Sequence, residues 1–131
     1  MKSCLLDTSF ISAFCNKDDT NYEKAQEISK GIKDGYFIIP SVVVAELSSF
    51  YKNLKLRDLT VKTSLDIASE IASLTSENIL IYVSFVQEFL NNLKAVDSII
   101  LFLSIENDAQ LLTFDKKLEK EFAEISKRVS E

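Results

Sequence analysis

Apolar residues along this chain follow two rhythms, compact blocks of three to five and longer stretches recurring every three or four positions. The switching between them predicts the elements. Cys4-Leu5-Leu6 ends abruptly at Asp7 and reads as a buried strand over 2–6. Thr8 and Ser9 then open a short helix over 10–14, and 16–20 is a polar loop. Tyr22, Ala25, Ile28 and Ile32 share one helical face, which predicts a helix over 20–34 stopping near Gly35. Tyr36-Phe37-Ile38-Ile39 is a second strand ended by Pro40, with Ser41 as N-cap of a helix over 42–54. A further helix over 60–76 would turn Ile67, Ala68, Ile71, Ala72 and Leu74 inward. The β-branched block 79–83 predicts a third strand. Ser84-Phe85-Val86-Gln87 has the form of a capping box for a helix with Phe85, Val86, Phe89, Leu90 and Leu93 on one face. Asp97-Ser98 begins a helix that is apolar nearly all round, the mark of a central, buried element. Asn107-Asp108 suits its C-terminal turn. A fourth strand over 109–113 and a charged last helix from Asp115 complete the chain.

Strands alternating with helices indicate an α/β architecture with a mostly parallel four-stranded sheet. The 131 residues fit a single domain, 1–131, and only two glycines and one proline leave room for short loops alone. The longest apolar runs are far too short to span a membrane, and no signal-peptide pattern opens the chain, so a cytoplasmic location is expected. The net charge of −5 argues against broad electrostatic attachment to nucleic acid or anionic membrane. Any polyanion contact must be local, with Lys52, Lys55, Arg57 and Lys62, or Lys116, Lys117 and Lys120, as the basic candidates. Cys4 and Cys15 read as small buried hydrophobes. The chain has no histidine, which makes a zinc site improbable and removes Ser-His and Cys-His nucleophilic catalysis. Carboxylates and a metal remain as the main chemical means.

Asp7, Glu46, Asp97 and Asp115 each abut a run of large apolar residues. A carboxylate drawn into such surroundings costs several kcal/mol unless a positive or hydrogen-bonding partner meets it. For four together the natural shared partner is a hard divalent cation. Asp7, Asp97 and Asp115 each precede a predicted helix, so capping is an adequate explanation for any one of them alone. Asp7 and Asp115 also lie at the carboxyl ends of strands, where open α/β sheets place their ligand crevices. Capping does not explain Glu46, whose helical neighbours Val42, Val43 and Phe50 are apolar and which has no basic residue within a turn. Ser9, Ser98 and Thr113 stand within two positions of the three aspartates. They either cap locally or donate hydrogen bonds that orient carboxylates or hold a metal's water.

The blocks Asp7-Thr8-Ser9, Val42-Val43-Val44-Ala45-Glu46-Leu47, Ala95-Val96-Asp97-Ser98-Ile99-Ile100 and Leu111-Leu112-Thr113-Phe114-Asp115-Lys116-Lys117-Leu118 together resemble the PIN domain, in order and spacing, over essentially the full chain. In particular they resemble the toxin ribonucleases of VapBC toxin–antitoxin pairs. The resemblance implies a three-layer α/β/α fold around a parallel sheet. It also implies that Asp7, Glu46, Asp97 and Asp115 gather in one pocket, bind Mg2+ or Mn2+ and hydrolyse RNA phosphodiester bonds. Ser9 and Thr113 match polar positions beside that pocket. The partners it implies are an RNA substrate, a cognate antitoxin and a second copy of the chain, for which Tyr51, Leu54 and Leu56 would supply an apolar patch. The rival readings are an RNA-processing nuclease that is not a toxin, and a PIN-like module that binds RNA or protein without cutting. A haloacid dehalogenase-type phosphohydrolase needs an aspartate two residues after the first, where this chain has Ser9.

Overall fold

The N-terminal apolar block forms an inner strand of a four-stranded sheet. The computed structural model describes residues 2–32, 34–89 and 93–130, without the Phe50 side chain. Its elements run β1 (Ser3–Leu6), α1 (Thr8–Cys15), α2 (Tyr22–Gly31), β2 (Tyr36–Pro40), α3 (Ser41–Phe50), α4 (Leu54–Ile67), β3 (Glu70–Ala72), α5 (Ile79–Phe89), α6 (Ala95–Glu106), β4 (Gln110–Leu112) and α7 (Lys116–Val129). Every strand pairing is parallel, in the order β3-β2-β1-β4, with Leu5 opposite both Ile38 and Leu111. The chain steps outward from β1 to β2 and β3, then crosses back to place β4 on the other side of β1. That reversal makes the β1/β4 boundary the switch point, outside whose carboxyl ends a crevice opens.

Helix α1 packs on α2, α3 and α4, whereas α6 packs on α5 and α7. Two helical groups thus form the outer layers of an α/β/α sandwich. Strands covered on both faces must be apolar throughout, and Cys4, Leu5, Leu6, Ile38, Ile39, Leu111 and Leu112 are all buried. The all-round apolar character of α6 has the expected consequence, since Ile100, Leu101, Phe102, Leu103 and Ser104 are buried in succession. Both cysteines are free, and burial pushes both thiols above their usual range.

The sequence reading fails between residues 50 and 90. The helix expected over 42–54 ends at Phe50, and Pro40 rather than Ser41 occupies its cap position. Asn53 starts α4, its side chain accepting from the Leu56 amide at 3.1 Å. The expected helix over 60–76 stops at Ile67, and Ile71 and Ala72 belong to β3. This strand lies at the sheet edge, where only Ala72 is buried, so Glu70-Ile71-Ala72 carries no alternating signal. The block 79–83, read as a strand, is the first half of α5. Leu80, 77 % exposed, and Ile81 and Val83 beside it lie on the open side of that helix, so apolar residues on both faces hid the helical period. Ser84 sits mid-helix and caps nothing. The reciprocal cap is Thr75 with Asn78, in which the Thr75 amide donates to Asn78 Oδ1 at 2.7 Å and the Asn78 amide to Thr75 Oγ1 at 3.3 Å. Leu93 follows the helix as loop, and Leu90 lies outside the described residues. After α2 the chain reverses at Asp34, with φ of 58°, rather than at Gly35, while Asp108, with φ of 49°, makes the expected turn after α6.

The relocated cap gives a direct test. Thr75→Ala should destabilise the protein by about 1 kcal/mol in urea unfolding, whereas Ser84→Ala should be neutral or slightly stabilising.

Candidate active site

The β1/β4 ladder continues one residue past β1, because the Asp7 amide donates to the Leu112 carbonyl at 3.1 Å. This fixes Asp7 at the mouth of the switch-point crevice, only 6 % exposed. Asp7 is the N-cap residue of α1 by backbone geometry, yet its side chain caps no amide. Instead Oδ2 accepts from the Thr113 hydroxyl at 2.7 Å and from the Ser9 hydroxyl at 3.0 Å. Those two hydroxyls also lie 3.1 Å from each other. Each carries one proton, so two protons serve three contacts. The pair is itself anchored by main chain, with the Phe114 amide donating to Ser9 Oγ and the Asp115 amide to Thr113 Oγ1, both at 3.0 Å.

Asp115 does cap its helix, Oδ1 accepting from the Lys117 and Leu118 amides at 3.0 and 3.1 Å. Glu46 sits mid-way along α3, half-buried beside the fully buried Val43 and Leu47, and Oε1 accepts from the Thr8 hydroxyl at 2.6 Å. Asp97 was expected to precede its helix. That helix starts two residues earlier, with Lys94 at the cap, so Asp97 is a half-buried member of the first turn.

The other three acids lie close enough to Asp97 to act on its carboxyl. Burial, then the negative charges of Asp115, Asp7 and Glu46, hold the Asp97 carboxyl above its ordinary value of 3.8, against a smaller opposing pull from Lys94. Among the described residues the one ion pair is Arg57–Asp58, so none of the four acids is in a salt bridge with a described cation. Asp7, Glu46 and Asp115 each use one oxygen in these hydrogen bonds and keep the other unclaimed by the described residues. As placed, no group of three or more His, Cys, Asp or Glu side chains among the described residues is arranged to hold a metal ion. The donor set itself, all carboxylate and hydroxyl oxygen, suits a hard divalent cation.

Other expectations need revision. The Ser98 hydroxyl lies 2.6 Å from the Tyr82 hydroxyl and donates to the Ala95 carbonyl at 2.7 Å, not to a carboxylate. Successive helical residues point roughly 100° apart, so with Asp97 in the pocket Ser98 turns into the α5/α6 contact. Arg57 is engaged by Asp58, with Nη2 2.9 Å from Oδ1, in a cleft of about 510 Å3 that holds none of the four acids. Lys52 and Lys55 are exposed near that cleft's helix, and Lys116 is exposed next to Asp115. Tyr51 is half-buried with its hydroxyl 2.8 Å from Ser12 Oγ, so the patch expected at Tyr51, Leu54 and Leu56 keeps only Leu54 fully outward. Two residues beside the acids, Thr8 and Lys94, were given no role toward them by the sequence. Thr8 had a signal, its place between Asp7 and the Ser9 that donates to it, while Lys94 had none.

The four acids come from four different elements near the switch point of a parallel α/β/α sandwich, the place where folds of this class bind ligands. The chain belongs to the PIN domain family, which matches residues 4–124. Its structure is similar to that of VapC20 from Mycobacterium tuberculosis, a sarcin-ricin loop cleaving toxin, with a TM-score of 0.72 at 15% identity over 89% of this chain and 93% of that one. It is also similar to VapBC2 from Rickettsia felis, solved bound to a DNA fragment from their promoter (0.67, 20% identity, 90% and 92% covered), and to FitAcB from Neisseria gonorrhoeae (0.64, 19%, 92% and 93%). No curated protein matches the chain significantly.

The raised Asp97 carboxyl makes a prediction about stability. A carboxyl whose folded value lies above its unfolded one favours folding at low pH and loses that contribution as pH rises through the folded value. Asp97→Asn should therefore melt at or above the wild-type temperature at neutral pH, with the difference vanishing below about pH 3.8. Thermal unfolding followed by circular dichroism across that range measures it.

Proposed function

We propose that this chain is a divalent-metal-dependent endoribonuclease, the toxin of a VapBC-type pair held in check by a cognate antitoxin. The observation that carries the reading is that Asp7, Glu46 and Asp115 all act on Asp97 while no described cation pairs with any of the four. Mg2+ or Mn2+ would be held by these four, and the one unclaimed oxygen on each of three acids suits an ion that keeps several waters. When bound, the ion supplies the positive charge that activates water and offsets the phosphodiester's charge. Ser9 and Thr113 keep Asp7 oriented through Oδ2, and the α7 amides do the same for Asp115 through Oδ1. Lys116 stands where it can meet an RNA phosphate beside the pocket, with Lys52, Lys55 and Arg57 as more distant contacts. Support for an antitoxin comes from the VapBC2 and FitAcB likenesses. A homodimer would seat on the exposed apolar side of α5, around Leu80, Ile81 and Val83, rather than on the α3–α4 corner. No described helix is long and apolar enough to cross a membrane.

Asp7→Asn and Asp97→Asn should each reduce cleavage of a mixed RNA pool by more than the ~10–100-fold that loss of a supporting residue costs, with the circular dichroism spectrum retained. Undiminished cleavage by either variant would sink the proposal. Chelation with EDTA should likewise stop cleavage by the wild type, and added Mn2+ should restore it; RNA cut at full rate in EDTA would count against the metal.

A further inference from the structure

Helical hydroxyls in this protein usually satisfy themselves on their own helix. Ser29, Ser48, Ser49, Thr60 and Ser104 all donate to the carbonyl four residues back, at 2.7–2.9 Å. Thr8, the first residue of α1, has no helical carbonyl behind it and reaches across to α3 instead, donating to Glu46 Oε1 at 2.6 Å. That is the one hydrogen bond Glu46 makes among the described residues, and no described cation pairs with it. A hydroxyl on a carboxylate is a charge-assisted bond of the stronger kind, and the branched Thr side chain restricts the direction from which it donates. Glutamate has one more rotatable bond than aspartate, so of the four acids Glu46 most needs an external anchor. Thr8 follows Asp7 directly. The bond therefore ties the position of the α3 acid to that of the β1 acid, across 38 residues of sequence.

We propose that Thr8 is a positioning residue of the pocket, holding Glu46 Oε1 so that Oε2 is presented to a divalent cation shared with the aspartates. This rests on the metal-dependent nuclease reading and adds to it a residue that acts through Glu46. The hydroxyl is the operative part, so serine substitutes for it and valine, nearly the same shape, does not.

The test compares Thr8→Val, Thr8→Ser and Asp97→Asn. Mn2+ affinity is read by calorimetry without RNA, kcat and KM on an RNA substrate, and the melting temperature separately. Thr8→Val should weaken Mn2+ binding about 10–100-fold and lower kcat while leaving KM for RNA near the wild-type value, and Thr8→Ser should restore both. Thr8→Ala replaces the valine variant if that one does not fold. The inference is overturned if the variant lacking the hydroxyl binds Mn2+ and turns over like wild type, or if Thr8→Ser is equally impaired. It is also overturned if only the melting temperature changes. Full cleavage by Asp97→Asn would instead remove the four-acid metal site on which the nuclease reading rests, whereas an inactive Asp97→Asn beside an unaffected Thr8→Val removes only the role of Thr8.

Discussion

Like charge gathered beyond the carboxyl ends of β1 and β4 is the constraint on which the candidate site depends. Asp97 on α6 feels burial first and then the charges of Asp115, Asp7 and Glu46, so its carboxyl is held above its ordinary value. Packing alone would not select that arrangement. Removing charge from water costs several kcal/mol where no partner compensates, and the described residues provide no paired cation for any of the four. The apolar investment on either side, from β1 and β4 to the buried stretch 100–104 of α6, is what can hold such a site together.

The sheet order explains why the four acids meet. Asp7 follows β1 and Asp115 follows β4, and these neighbouring strands are parallel, so both carboxylates emerge at the same end of the sheet. Helix α3 opens the crossover from β2 to β3 and α6 closes the one from β3 to β4, with Glu46 mid-way along α3 and Asp97 in the first turn of α6. A crevice of this kind belongs to every doubly wound sheet. What distinguishes this one is that all four surrounding elements contribute the same charge.

Much of this was legible in the sequence, for identifiable reasons. Strands β1, β2 and β4 are covered on both faces, and burial of that kind leaves uninterrupted apolar blocks that stand out. Glu46 stood out because a mid-helix acid among valines has no capping role. The errors fall where burial is partial. Edge strand β3 buries only Ala72 and leaves no pattern, while α5 carries Leu80 and Ile81 on its open side and so imitated a strand. Hydroxyls were harder still. Ser9, Ser98 and Thr113 looked alike in sequence, but Ser98 is one helical step on from Asp97 and faces Tyr82. Thr8, passed over as a helix opener, meets a residue 38 positions away. Short-range patterning reports periodicity and caps; it does not report which distant side chain a hydroxyl will meet.

The chemistry of the supporting bonds bears on what the pocket can do. Asp7 is held by two hydroxyls, Glu46 by one and Asp115 by two main-chain amides. All are neutral donors. A lysine or arginine in their place would orient the carboxylate equally well, but would also cancel its charge and stabilise the pocket without any ligand. Hydroxyls and amides fix direction while leaving the full negative charge in place, and they engage one oxygen of each acid, not both. Orientation and neutralisation are thereby separated. The protein performs the first with its own groups, and the described residues leave the second undone.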